Sequence, residues 1–187
     1  MVRFFFTWLL LLTTTALLTA CCGSTACECN DEFADAIGLR LSTDTLATGA
    51  GKGFLSADID TVYLVRVPRD TAQRPKADTV TLTRSRLQAV TRPIIINNAT
   101  PFTRAGNRNL DQYSYELYLA RRRAKVTPTF RYTIDRVELR TDYEADGCCT
   151  CFQNRNKLVY VNGNPTPLNQ TDPTGENRLI PLDVTRP

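Results

Sequence analysis

From residue 37 onward the chain is written in short alternations of apolar and polar side chains. Tyr113, Tyr115, Leu117 and Leu119 fall on one parity and Ser114 and Glu116 on the other, which predicts a strand with one buried and one wet face. Thr79-Val80-Thr81-Leu82-Thr83 alternates in the same way, and residues 61–67 are rich enough in β-formers to predict a central strand. Phe130, Tyr132 and Ile134 alternate, and then the parity flips to Val137 and Leu139; one extra residue near Asp135-Arg136, a β-bulge, accounts for the slip. Residues 158–161 predict a strand ending at Asn162-Gly163, a hairpin turn signal. Pro165, Pro167 and Pro173 make its return arm irregular or an edge. Shorter strand candidates lie at 37–42, 94–96 and 179–184, and residues 30–35 suit a single helical turn. Polar loops are expected at 45–53, 68–76 and 97–110. With no internal repeat and no long helix of apolar 3.6-residue period, seven or eight short strands predict an all-β fold, a single antiparallel β-sandwich.

The first twenty residues follow a different pattern. A positive start at Arg3 leads into an apolar run from Phe4 to Leu12, softened by Thr13-Thr14-Thr15 and followed by Leu18-Thr19-Ala20-Cys21. That stretch resembles the signal of bacterial lipoproteins, with its lipobox of a leucine, two small residues and a lipid-accepting cysteine. Two other readings compete. An uncleaved membrane helix needs about 20 apolar residues, which this run barely supplies. Ordinary signal-peptidase cleavage prefers an A-x-A-like site, which Leu18 spoils. The resemblance implies lipidation of Cys21 with two or three fatty chains. Each buried methylene contributes about 0.8 kcal/mol and one chain alone holds only reversibly, so several chains keep such a protein on its membrane. The expected organisation is a signal at 1–20, an anchor, cysteine cluster and short tether at 21–36, and the sandwich at 37–187. The expected location is the bacterial cell envelope, at the outer membrane.

Charge and composition narrow the chemistry. The net charge is +4, too mild to argue for nucleic acid. Histidine is absent, which removes the commonest general base and the commonest metal ligand. Seven cysteines are present, and if Cys21 carries lipid an even six remain: Cys22, Cys27 and Cys29 near the start, and Cys148, Cys149 and Cys151 some 120 residues later. Disulfides are the default in an exported protein. Residues two apart on a strand face the same side. Two antiparallel segments therefore give Cys27–Cys151 with Cys29–Cys149, and leave Cys22 with Cys148. A parallel arrangement, Cys27–Cys149 with Cys29–Cys151, stays open. The first such link closes a long loop, a stabilisation of about 4–5 kcal/mol from loop-closure entropy, and a second adds much less. A four-thiolate zinc site is the rival, disfavoured by the spacing.

The remaining motifs are weaker. Asp142, Glu144, Asp146 and Gly147 match the first half of a calcium loop, but Gln153 stands where the bidentate glutamate belongs; an acidic turn is the expectation. Arg121-Arg122-Arg123 with Lys125 is a basic run suited to a solvated turn or to anionic headgroups. Asp44-Thr45-Leu46, Asp60-Thr61-Val62, Asp70-Thr71-Ala72 and Asp78-Thr79-Val80 resemble the O-glycosylation sequon of exported Bacteroidota proteins, making Thr45, Thr61, Thr71 and Thr79 candidate glycan sites. With the lipobox, they make the chain similar to the small envelope lipoproteins of that phylum. No nucleophile–base pair or glycine-rich phosphate loop is readable, and no cofactor is expected. The expectation is an envelope protein with a non-catalytic binding or structural role, its partners the membrane and a glycan or protein. Two alternatives remain, a carboxylate-based enzyme acting on envelope glycans and a subunit of a surface assembly.

Overall fold

The computed structural model describes residues 27, 29–46, 52–55, 58–70, 77–103, 109–119, 128–146 and 149–186. Among them are a one-turn helix α1 (Asp31–Ala34), strands β1 (Ile37–Leu41), β2 (Thr61–Pro68) and β3 (Asp78–Thr83), a short helix α2 (Arg86–Thr91), β4 (Ile94–Ile96), β5 (Tyr113–Leu119), β6 (Phe130–Asp146), β7 (Cys149–Val161), β8 (Leu168–Asn169) and β9 (Pro181–Val184). They form a six-stranded sheet in the order β3-β2-β5-β6-β7-β8 and a three-stranded sheet in the order β4-β1-β9. The large sheet is antiparallel throughout. The small one is mixed, because β9 returns from the far end of the chain to pair in parallel with β1. The sandwich is therefore not wholly antiparallel, contrary to expectation. Nothing in residues 179–184 signals direction, since a period of two is the same in parallel and antiparallel pairing.

The apolar parities meet in one core. Val62 and Leu64 of β2, Tyr115, Leu117 and Leu119 of β5, Tyr132 and Ile134 of β6, and Val159 of β7 pack with Ile37, Leu39 and Leu41 of β1, Ile94 and Ile96 of β4, and Leu182 and Val184 of β9. The predicted bulge is present: the β6–β7 register shifts between Ile134 and Arg136, which carries Val137 back to the core side. The turn at Asn162-Gly163 is present too, with φ of 51° and 71° and Asn164 N donating to Val161 O. That left-handed geometry costs Gly and Asn little, and it matches the twist of the flanking strands.

A buried charge interrupts the apolar parity of β2. Arg66 points inward from β2, with its guanidinium 4.7 Å from the ring centroids of both Phe102 and Tyr113 and 3.4 Å from Asp78, its partner across the β2–β3 ladder. Stacking between two aromatic faces is the arrangement a weakly hydrated guanidinium tolerates best.

The longest departure from expectation is the β6–β7 hairpin. The sequence predicts an acidic turn at 142–147 and a strand confined to 158–161, yet β6 runs unbroken to Asp146 and β7 starts at Cys149. Two disulfides hold this extension: Cys27–Cys149 with a Cα separation of 5.6 Å, and Cys29–Cys151 at 5.2 Å. The N-terminal segment thus runs parallel to the start of β7. The parallel pairing is realised and the antiparallel one is not, because the segment leaves Cys29 in the direction of β7 to reach α1 beside it. Cys21, Cys22 and Cys148 lie outside the described residues. Among the described residues, no helix is long and apolar enough to cross a membrane.

Candidate functional site

Between the disulfides and the small sheet, the outer edge of β7 carries a dense polar network. Strand β8 covers β7 only at Leu158 and Val159. Elsewhere side chains take the place of a neighbouring strand. Asp31 Oδ1 accepts from Phe152 N (3.1 Å), Asn177 Oδ1 accepts from Asn154 N (3.1 Å), and Asn177 Nδ2 donates to Phe152 O (2.7 Å). Thr171 Oγ1 accepts from Lys157 N at 2.8 Å. An edge sealed in this way is closed to pairing with another chain.

Lys157 lies at the centre of the network, on the inner parity of β7 and 4 % exposed. Its Nζ donates to Phe33 O (3.0 Å) and Ala36 O (2.9 Å), the carbonyls at the end of α1. A cation there complements the partial negative charge of the helix end, supplying a donor to Ala36 O and a further one to Phe33 O, which also accepts from Ala36 N. Burial pushes its pKa down to about 8, against the opposing charges of Asp35 and Asp172. Asp35 responds in the opposite sense. Burial raises its carboxyl above the ordinary value, although Asn98 and Asn154 donate to it and Lys157 is near.

A hollow of about 390 Å³ opens beside this network, between the Cys29–Cys151 disulfide, the end of β6 and the loop that follows β8. Glu144 and Glu176 both line it, with Asn30, Gln153 and Asn177. The Asp172 carboxylate builds the loop wall. It accepts from the backbone N–H of Thr174, Glu176 and Arg178, and these donors outweigh the cost of its partial burial and hold its pKa down. Glu144 accepts from Arg155 Nη2 and Glu176 pairs with Arg178 Nη2, each at 2.6 Å. The two carboxylates that a glycan-cleaving reading requires thus share a hollow, but each already holds an arginine.

The other sequence candidates are spread over the surface. Asp142 and Glu144 stand on the extended strand β6, where alternate residues share a face instead of wrapping around a cation, and Asp142 Oδ1 accepts from the neighbouring Tyr143 N. Among the described residues no cluster of three or more Asp, Glu, Cys or His forms a metal-ligating group. Thr45 is exposed in a loop, Thr61 is half-buried at the start of β2, and Thr79 is exposed on β3. Thr71 and the basic run Arg121-Arg122-Arg123 with Lys125 lie outside the described residues.

No family model matches the chain, and neither the curated proteins nor the solved structures hold a match to it.

A second hollow has a volume of about 460 Å³. It lies where the end of β3, helix α2 and β4 meet, and includes Arg84 and Arg92. Helix α2 has a complete capping box: Ser85 Oγ accepts from Gln88 N, and Gln88 Oε1 accepts from Ser85 N. Arg84 folds over it, its Nη2 donating to the carbonyls of Gln88 and Arg92. Two signals in the sequence mark this region. Ser85-x-x-Gln88 is a helix start, and residues 79–110 contain five arginines and no acidic residue.

Proposed function

We propose that this chain is a lipid-anchored protein of the bacterial cell envelope, fixed through Cys21, whose sandwich has a non-catalytic binding or structural role. The observation that carries the reading is the position of the clasp. Two disulfides fasten residues 27 and 29 to β7, the first only six residues beyond the lipobox cysteine. Disulfides belong to an oxidising compartment, and the lipobox gives the means of staying there. The partners on this reading are the membrane and a glycan or protein of the envelope. Metabolic labelling with a radioactive fatty acid tests it. Label should enter the wild-type protein and be lost on Cys21→Ala, with release of the protein from the membrane fraction; label that persists on the variant overturns the anchor.

A second reading, a carboxylate enzyme acting on glycans, is favoured by the shared hollow of Glu144 and Glu176. The arginine held by each carboxylate puts it second. A third, a subunit of a surface assembly, is favoured by β3. This six-residue strand is one edge of the large sheet, and near it α2 exposes Leu87 and Val90.

A further inference from the structure

Strand register places the second hollow at the opposite end of the large sheet from the disulfides. Thr83 pairs with Thr61, Val62 with Leu119 and Leu119 with Phe130, so the end of β3 is level with the start of β6. Cys149 and Cys151 pair with Asp146 and Glu144 at the other end of β6. At about 3.3 Å per residue, the 17 residues of β6 separate the two levels by on the order of 50 Å. A ligand arriving from outside the membrane meets the hollow at the free end of the molecule.

The hollow's chemistry is cationic and unbalanced. Among the described residues, neither Arg84 nor Arg92 forms an ion pair. Arg84 is half-buried, its Nη1 is buried without a hydrogen-bond partner, and burial pushes its pKa down. A desolvated guanidinium without a counter-charge is costly, and an oxyanion bound in the hollow supplies that charge. Arg92 is exposed and free to close on such a group. Among the described residues, no carboxylate lines the hollow to repel it. Thr81 and Thr83 offer hydroxyls from the exposed parity of β3, while Pro93 and Pro101 contribute apolar wall. A bare inorganic ion uses only the arginines, whereas a sugar bearing an acid group uses all three kinds of surface.

We propose that the hollow between β3, α2 and β4 binds a carboxylate- or sulfate-bearing sugar, with Arg92 receiving the oxyanion, Arg84 adding its charge from the wall, Thr81 and Thr83 meeting the sugar hydroxyls, and Pro93 and Pro101 the C–H face. This deepens the binding reading given above and rests on it, but is independent of the lipid at Cys21.

The test is calorimetric titration of the full chain, purified in detergent micelles, with tri-galacturonate, a sulfated trisaccharide, maltotriose and inorganic sulfate at low salt. Either acidic trisaccharide should bind at least tenfold more tightly than maltotriose and than inorganic sulfate, and whichever does so identifies the acid group. Arg92→Gln, with an exposed side chain and an unchanged melting temperature, should lose at least tenfold in affinity, and Arg92→Lys should recover part of it. Binding of neutral and acidic sugars alike, binding no tighter than sulfate, or full affinity in Arg92→Gln overturns the proposal. Loss of fatty-acid labelling on Cys21→Ala is read separately, so failure of the anchor and failure of the site are told apart.

Discussion

Lys157 shows how one residue can set a pH dependence. Unfolded, its amine has the ordinary lysine value of 10.5; folded, about 8. Below pH 8 both states carry the charge, and the fold bears the cost of a desolvated ammonium. Between pH 8 and 10.5 the unfolded chain holds a proton that the folded chain has released, so stability rises with pH through that window. Tyr132, raised to about 12, and Tyr115, raised further, act in the opposite sense above pH 10, because the folded state keeps their protons. Comparison with Lys157→Met cancels the tyrosines. The variant leaves the Ala36 carbonyl without its lysine donor and Phe33 O with its local backbone donors alone, and is expected to be less stable by about 2 kcal/mol at pH 7. The gap should widen from pH 7 to pH 10 by on the order of 2 kcal/mol. Urea melts at the two pH values check this, and a gap that stays constant would show that Lys157 does not titrate there. Nothing in the sequence marks Lys157. It occupies an inward parity among Val159 and Val161, where a lysine reads as a break in the pattern, and its partners are carbonyls more than a hundred residues away.

At the scale of elements, local rules were legible and long-range ones were not. The strand of Tyr113 to Leu119, the bulge after Ile134 and the Asn162-Gly163 turn follow from parity and turn chemistry over a few residues. Helix α2 was legible in principle through Ser85 and Gln88, but six residues give too short a run for apolar periodicity to register. Ser85→Ala should cost about 1 kcal/mol through loss of the cap, seen as a lower melting temperature. It should also loosen the carbonyls that hold Arg84. The sealed edge of β7 was not legible, because its seal comes from side chains of separate loops. Asn177 is 5 % exposed with φ 56° and makes two hydrogen bonds to the β7 backbone. Asn177→Ala removes both bonds and keeps a side chain at positive φ, so a loss of about 2–3 kcal/mol in urea melts is expected. Asn177→Gly loses the same two bonds but relieves the backbone at positive φ, so it should be the milder of the two in the same melts.

Over the whole molecule, the cysteine clusters predict that residues near 28 meet residues near 150, but not in which sense. Equal spacing within C-x-C and C-x-C permits either direction. Only the path taken by residues 29–37 toward the small sheet selects the parallel one. The two links close nearly the same loop, each spanning 122 residues. Removing one pair, as in Cys29→Ser with Cys151→Ser, should therefore cost on the order of 1 kcal/mol, whereas full reduction should cost on the order of 5 kcal/mol. Denaturant melts with and without reductant measure both, and a single-pair loss as large as full reduction would contradict this account. The site at the free end was invisible to motif reading because it is defined by what is missing: 32 residues without a carboxylate, with arginines scattered among apolar and hydroxyl side chains.

The parallel double clasp also fixes a path for mechanical load. Tension along a tether from Cys21, as proposed, crosses into β7 through the covalent bonds at Cys27 and Cys29. From there it spreads into the longest ladder of the large sheet. Helix α1 and strand β1 lie downstream of both crossings and are spared the pull. Drag on the sandwich, or on anything bound at its far end, would thus be borne in shear by β6 and β7, while the small sheet rides unstressed.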